Sequence, residues 1–209
     1  MVPSLSLIGS SATLAASAAV AAKGVPRWDR SLFVRVNQLP GALQYPLWAP
    51  MQVGSLGGAV GIGVLVGWKR DRRLGTEIVV AGVAAWLAAK VIKTAIARER
   101  PAEAVESTEL RLGAADSGLG FPSGHAALAT TTAALVARRS HSRRALGLEA
   151  IPALVGFSRV HVGAHYPLDV IGGWALGVVV ADTVASVIEA VVGEASQTSA
   201  TGESTSGVG

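Results

Sequence analysis

The sequence Ser158-Arg-Val-His-Val-Gly-Ala-His-Tyr-Pro-Leu-Asp169 decides how the whole chain is interpreted. This short segment holds two histidines, an arginine and a carboxylate, although the chain around it is strongly apolar. Ionisable side chains are costly to keep in or near lipid, and those retained there usually serve a function. We therefore predict that the segment belongs to a reaction centre, and that the fold brings other polar segments to it.

Composition predicts a membrane protein of one domain. Of the 209 residues, 50% are hydrophobic and 15% are charged, and the mean hydropathy is +0.46. This is more apolar than a soluble domain of the same size. The absence of cysteine excludes a disulfide framework, a thiolate metal site and a cysteine nucleophile.

A formal charge of +4 and a pI near 10.0 raise the question of a nucleic-acid partner. The basic residues, however, lie in short clusters between apolar runs and do not form one continuous polar face. Membrane topology explains this distribution better, so we predict membrane lipids and no nucleic acid as partners.

The apolar runs predict an all-α bundle of about six transmembrane helices, since one crossing takes about 20 residues. The predicted crossings are residues 1–22, 51–68, 76–93, 121–136, 145–157 and 167–192. The first run lacks the positive region of a signal peptide, although a cleaved signal is the alternative there. Residues 1–193 are predicted to form the membrane domain, and the Ser, Thr and Gly-rich residues 194–209 a disordered tail.

Residues 25–39 have a different pattern. Apolar side chains from Trp28 to Leu39 recur at helical spacing, and polar side chains such as Asp29 fill the opposite face. This is typical of an amphipathic helix on the membrane surface, and a helix packed on the bundle is an equal alternative.

Two basic clusters determine the predicted orientation. They follow the second and fourth crossings and comprise Lys69, Arg70, Arg72 and Arg73, and Arg138, Arg139, Arg143 and Arg144. The positive-inside rule places both in the cytoplasm, so the polar segments after the third and fifth crossings face outward. Arginines near Trp28 also fall on the outer side and weaken the rule. We predict a cell-membrane protein with an extracytoplasmic site.

Three polar segments would converge on that outer side: residues 93–101, 122–125 and 158–169. They supply the cations Lys93, Arg100 and Arg159, the hydroxyl of Ser123, and the backbone N–H of Gly124 at a helix start. Cations, a hydroxyl and helix N-terminal amides together indicate a site for an anion, and a tetrahedral phosphate is the best fit.

The remaining groups of these segments can perform phosphoryl transfer. His165 and Asp169 are four residues apart, which on a helix puts both on one face. Asp169 could keep one imidazole nitrogen protonated and leave the other free to attack phosphorus. His125 is the candidate acid that protonates the leaving group and then activates water.

The order and spacing of these residues resemble a known signature. Lys93 is followed after six residues by Arg100-Pro101, then comes Pro122-Ser123-Gly124-His125, and finally Ser158-Arg159 with His165 and Asp169 at fixed intervals. This resembles the complete three-part signature of the type 2 phosphatidic acid phosphatase (PAP2) superfamily, which includes soluble bacterial acid phosphatases and vanadium haloperoxidases.

The resemblance implies a role for each matching residue. His165 would form a phosphohistidine intermediate, His125 would act as acid and base, and Asp169 would orient the nucleophile. The phosphate would be held by Lys93, Arg100, Ser123 and Arg159. The resemblance implies no metal and no cofactor.

The predicted function is hydrolysis of a lipid phosphate or diphosphate at the outer leaflet. Phosphatidic acid, phosphatidylglycerol phosphate and polyprenyl phosphates or diphosphates are the candidate substrates, and the pattern does not choose among them or indicate an oligomeric state. A phosphoryl or phosphatidyl transferase, a vanadate-dependent haloperoxidase and a non-enzymatic lipid-binding protein are the alternatives. A catalytically silent relative would be expected to lack one of His125, His165 or Asp169, and all three are present.

Six further polar positions receive other interpretations. His161 fits no position of the signature and is predicted to be structural or substrate-facing. Lys90 and Arg98 are predicted to be helix-end anchors. Glu149 and Asp182 are predicted either to make interhelical hydrogen bonds or to be partly protonated. His141, between arginines, is predicted to be solvated.

Overall fold

Apolar helices of unequal length account for most of the chain in the computed structural model, which describes residues 5–69, 71–115, 117–139 and 145–205. Within these residues the only extended pairing is an isolated bridge between Glu99 and Leu119. The predicted all-helical fold is therefore confirmed. His141 and four charged residues of the predicted loops lie outside the described residues: Arg70, Asp116, Arg143 and Arg144.

The helices follow one another in this order: α1 Leu5–Ala21, α2 Arg27–Asn37, α3 Gln44–Val53, α4 Leu56–Lys69, α5 Arg72–Ile96, α6 Pro101–Ala104, α7 Gly124–Arg138, α8 Ala145–Leu148, α9 Ala150–His161 and α10 Pro167–Thr205. A short 3-10 turn, Gly41–Leu43, precedes α3. Helices α5, α7 and α10 pack against one another at the centre. Around them, α1 packs on α10, α4 on α5, and α2 and α3 on α9.

The central packing of α7 on α10 depends on small residues. A Cβ atom at Gly173 would lie 2.5 Å from the carbonyl oxygen of Ser123, and one at Gly177 would lie 2.5 Å from that of Ala127. The two backbones are thus in direct contact, and the hydroxyl of Thr131 lies 3.1 Å from the Gly177 carbonyl oxygen. Close approach through glycine, with a hydroxyl bonding across the interface, is typical of helix pairs in lipid.

Two helical segments of the described chain are long and apolar enough to cross a membrane: Arg72–Ile96 and Pro167–Gly193. A third crossing results if α3 and α4 count as one bent span. The structure therefore does not confirm six crossings, and that number stays a prediction. Helical backbone continues from residue 194 to Thr205, and the disorder predicted for 194–209 likewise stays a prediction.

The unbroken helix predicted for residues 51–68 is wrong. The chain bends by 56° between Gly41–Val53 and Leu56–Lys69. The hydroxyl of Ser55 accepts a hydrogen bond from the Gly58 amide at 2.9 Å and so starts a new helix.

Helix α2 keeps only part of the predicted polar outer face: Arg27, Arg30 and Arg35 are exposed, but two other polar residues of the pattern are buried. Asp29, Phe33 and Asn37 lie on its buried side, whereas Trp28 and Leu32 are about half exposed. Of the two predicted alternatives, this arrangement favours a helix packed on the bundle, because its buried face contacts α9 and α10 and includes two polar side chains.

The described members of the two basic clusters meet at one end of the bundle. Arg139, at the end of α7, pairs with Asp71 at 3.1 Å and with Glu77 at 2.9 Å near the start of α5. Lys93 lies near the other end of α5, about 30 Å away at the usual helical rise. The basic clusters and the predicted reaction centre therefore lie at opposite ends.

Cysteine labelling tests the orientation, since the natural chain has no cysteine. We expect Leu112→Cys, in an exposed loop near Lys93, to react with an impermeant maleimide from outside intact cells, and Arg72→Cys to react only after the cytoplasm is opened. The positive-inside rule is the reason. The reverse labelling pattern would show that the predicted orientation is wrong.

Candidate active site

A cavity of about 370 Å³ lies between α5, α7, α9 and the break that separates α3 from α4. Six of the eight predicted site residues line it: Lys93, Arg100, Gly124, His125, Arg159 and His165. Ser123 and Asp169 are fully buried behind its wall. The fold thus brings the three predicted polar segments together at one place.

The cations of the cavity are held by neutral partners. The ammonium of Lys93 donates to the carbonyls of Leu119 at 2.7 Å and Gly120 at 2.9 Å. The Arg159 guanidinium donates to the Gly113 carbonyl at 2.7 Å. Carbonyls fix the position of these side chains without adding a negative charge beside them. No carboxylate occurs among the described lining residues, so the cavity attracts anions.

Arg100 approaches the same cavity from the turn after α5. Its guanidinium donates to the carbonyl of Ala164 at 3.2 Å, in the segment that carries His165. Arg100 is followed by Pro101 at the first position of α6, where a proline costs no backbone hydrogen bond. This turn directs Arg100 inward beside Lys93.

The N-terminus of α7 supplies backbone donors. Ser123 is its N-cap, with the hydroxyl 3.5 Å from the Ala126 amide, and Gly124 lines the cavity. The partial positive charge of a helix N-terminus favours an anion here. The Ser123 hydroxyl caps the helix behind the cavity wall, so its direct role in phosphate binding stays a prediction. The backbone amide of Ser123 donates to the backbone carbonyl of Asp169 at 2.8 Å.

His165 lies in the loop before α10, so the predicted common helix face with Asp169 is wrong. Its Nδ1 atom is 3.5 Å from Oδ2 of Asp169, slightly beyond hydrogen-bond distance. Burial and then the neighbouring cations, Lys93 first, lower the pKa of His165 well below its ordinary value. The imidazole is consequently neutral and able to act as a nucleophile.

Arg98 is a residue of the site that sequence reasoning missed. Its guanidinium donates to Asp169 and to Asp29, each at 2.6 Å, and its side chain is almost completely buried. It also lies over the ring of Tyr166, 4.8 Å from the centroid. The prediction of a helix-end anchor is therefore wrong: Arg98 is bonded to the very carboxylate that lies beside His165.

Asp29 extends this network to α2. Its Oδ1 atom accepts a hydrogen bond from the Leu168 amide at 2.9 Å, in the first turn of α10. One carboxylate thus holds both Arg98 and the helix that carries Asp169. The local sequence gave no sign of this, because Asp29 follows the polar spacing of α2 and its partners are distant in sequence.

Residues 74–191 match the sequence model of the PAP2 superfamily. The chain belongs to the PAP2 superfamily. The match contains all eight predicted site residues as well as Arg98, whereas Asp29 lies before it.

Two curated proteins are similar to this chain in sequence. The undecaprenyl-diphosphatase of Sulfolobus acidocaldarius is 40% identical over 116 residues, which cover 54% of this chain and 55% of that protein. The decaprenylphosphoryl-5-phosphoribose phosphatase of Mycobacterium tuberculosis is 36% identical over 123 residues, covering 56% and 62%. The alignments thus span less than two thirds of these relatives.

Two solved structures share the PAP2 fold. The PAP2-type phosphatidylglycerolphosphate phosphatase of Bacillus subtilis superimposes with a TM-score of 0.74 at 21% identity, covering 90% of this chain and 98% of that one. LpxE of Aquifex aeolicus gives a TM-score of 0.62 at 22% identity, covering 75% and 93%. The bundle around the cavity is therefore that of membrane PAP2 proteins.

The remaining polar residues have clear positions in this PAP2 bundle. His161 is buried away from the cavity, with Nδ1 3.2 Å from the Val36 carbonyl oxygen and its ring parallel to that of Phe157. Asp182 accepts a hydrogen bond from Ser6 of α1, as predicted. Glu149 is exposed between α8 and α9 and not within an apolar helix. Lys90 lines the cavity.

Replacing Asp29 by Asn tests the Arg98 network. We expect phosphatase activity to fall, because Arg98 then loses one of its two carboxylates and Asp169 is positioned less firmly. We also expect a loss of about 3 kcal/mol in the free energy of unfolding, as for broken buried ion pairs. Activity at a temperature where the variant is folded, and thermal unfolding in detergent, are the measurements.

Glu189→Gln is the control for that variant. Glu189 is an exposed residue of α10 that lies 4.0 Å from Arg73, and exposed pairs contribute little. Equal stability and activity of Asp29→Asn and Glu189→Gln would contradict the network.

Proposed function

We propose that the protein is an integral membrane phosphatase that hydrolyses a lipid phosphate or diphosphate at the outer face of the cell membrane. The observation that carries the proposal is the convergence of three cations and two histidines on one cavity. The substrates in the names of the curated relatives, a polyprenyl diphosphate and a polyprenyl-linked phosphoribose, support a lipid-linked phosphate as the substrate class.

The terminal phosphate would lie between Lys93, Arg100 and Arg159. Phosphoryl transfer needs its equatorial oxygens neutralised, and arginine matches phosphate geometry with paired donors. The first amides of α7, from Gly124 onward, would complete the site. Carbonyl contacts already fix the three cationic side chains before substrate binds. Donors fixed in advance lower the barrier, because they stabilise the charge that develops in the transition state.

The reaction would proceed in two steps. Nε2 of His165 attacks phosphorus, the bond from phosphorus to the leaving oxygen breaks, and His125 gives that oxygen a proton. A water molecule then attacks the phosphohistidine, His125 takes its proton, and inorganic phosphate and free His165 result. Asp169 would accept the Nδ1 proton of His165 in a hydrogen bond that shortens from the present 3.5 Å when substrate binds.

Apolar residues make up another part of the cavity wall, among them Leu56, Trp86, Ala89 and Leu128. Such a wall suits a substrate whose tail stays in lipid while its phosphate enters the cationic region. The meeting of both basic clusters at the opposite end of the bundle supports an extracytoplasmic site.

Phosphate release tests the enzyme and its nucleophile. We expect purified protein in detergent to release inorganic phosphate from lipid phosphates in the presence of a metal chelator, and His165→Ala to abolish release. His161→Gln is the matched control, because His161 is a buried histidine outside the cavity. Undiminished turnover by His165→Ala would rule out His165 as the nucleophile.

Vanadate tests the phosphate site separately. Vanadate adopts the five-coordinate geometry of an in-line displacement, so we expect competitive inhibition. Arg159→Met removes a charged donor from the cavity and should weaken inhibition by about tenfold or more. Inhibition that is unchanged in this variant, or that does not compete with substrate, would contradict the proposed position of the phosphate.

A further inference from the structure

Lys90 is a fourth cation at the cavity, and the reaction described above does not use it. It lies on α5 three residues before Lys93, which is about 4.5 Å along the helix axis toward the middle of the membrane. Both side chains line the same cavity. In the proposed reaction Lys93, Arg100 and Arg159 surround the terminal phosphate, so Lys90 is available for another group.

The position of Lys90 is energetically unfavourable for a charged side chain, which indicates a functional role. On the same helix Val83, Leu87 and Val91 are 39%, 50% and 68% exposed, and they form a stripe that would face lipid. Lys90 is exposed at the border between this stripe and the cavity. A positive charge beside lipid in a spanning helix is destabilising, and such residues generally mark a functional site.

Helix-end anchoring does not explain the conformation of Lys90. A lysine that anchors a helix end extends its ammonium toward the nearer membrane surface. The ammonium of Lys90 instead lies 3.8 Å from the centroid of the Trp86 ring, one turn closer to the membrane interior. Trp86 also lines the cavity, so the pair keeps the charge at the lipid-facing side of the wall.

We propose that Lys90 binds a second phosphate, the one nearer the lipid tail, and so makes lipid diphosphates the preferred substrates. This inference rests on the proposed function. The terminal phosphate occupies the site beside His165, and the rest of the molecule must leave toward lipid. Lys90 lies between the cavity and the lipid-facing stripe, so the part of the substrate that joins the terminal phosphate to the lipid tail would pass it. A charge-assisted hydrogen bond to phosphate is stronger than a cation–π contact, so the incoming phosphate can displace Trp86.

The chemistry distinguishes the two substrate classes. With a diphosphate, His165 takes the terminal phosphoryl group and the bond from terminal phosphorus to the bridging oxygen breaks. The leaving group is then a lipid monophosphate, whose bridging oxygen takes the proton from His125 and whose remaining negative charge Lys90 neutralises. With a monophosphate, the leaving group is a neutral alcohol and Lys90 has no phosphate to bind.

The experiment compares farnesyl diphosphate with farnesyl monophosphate as substrates of the purified full-length protein in detergent. The measured quantity is the ratio of kcat/KM for the diphosphate to kcat/KM for the monophosphate. We expect Lys90→Met to lower this ratio about tenfold, because one charge-assisted contact to the second phosphate is lost. Lys90→Arg should keep most of the ratio, since it keeps the charge.

Lys69→Met is the matched control. Lys69 also lies over a tryptophan, 5.9 Å from the Trp68 ring centroid, but outside the cavity. We expect it to leave the ratio unchanged. A Lys90→Met variant with an unchanged ratio, whether both substrates are unaffected or both decline equally, would overturn the second-phosphate site. Absence of phosphate release from both substrates by the wild-type protein would instead refute the proposed function itself.

Discussion

The interaction on which the site depends is the sharing of Arg98 between two buried carboxylates. Asp29 and Asp169 each accept a bond of 2.6 Å from its guanidinium, and Asp29 also holds the first turn of α10. Burying charges is favourable only when each has good partners, and removal of one partner leaves an uncompensated charge. The network therefore fixes three parts of the chain relative to one another: α2, the turn after α5 and the start of α10. His165 lies directly beside them.

This network also keeps opposite charges apart. Both carboxylates are occupied by Arg98 behind the wall, while Lys93 and Arg159 on the cavity side are held by carbonyls. If the acids faced the cavity they would neutralise its cations and compete with a phosphate. His165 lies at the boundary between the two regions. It has the Asp169 carboxylate on one side and the positive field of the cavity cations on the other.

The sequence was sufficient to predict the helical fold and the convergence of three polar segments, because fixed spacing and apolar runs are local signals. It could not predict the partners of Arg98. Asp29 is far away in sequence and conforms to the polar pattern of its own helix. The break at Ser55 was also missed, since glycine and serine are common in packed membrane helices. The direction of the Lys90 side chain depends on Trp86, and spacing alone does not determine side-chain conformation.

The placement of the network along the chain has a consequence for biogenesis. During synthesis Asp29 emerges from the ribosome first of the three, Arg98 next, and Asp169 last, with α10. Asp29 and Arg98 can pair before Asp169 is synthesised. This pairing lowers the free-energy cost of exposing either charge to lipid during insertion. Asp169 completes the arrangement when α10 inserts and packs on α1. A nascent or truncated chain without α10 thus lacks the carboxylate beside His165, and the cavity is complete only after the last of the three partners has inserted.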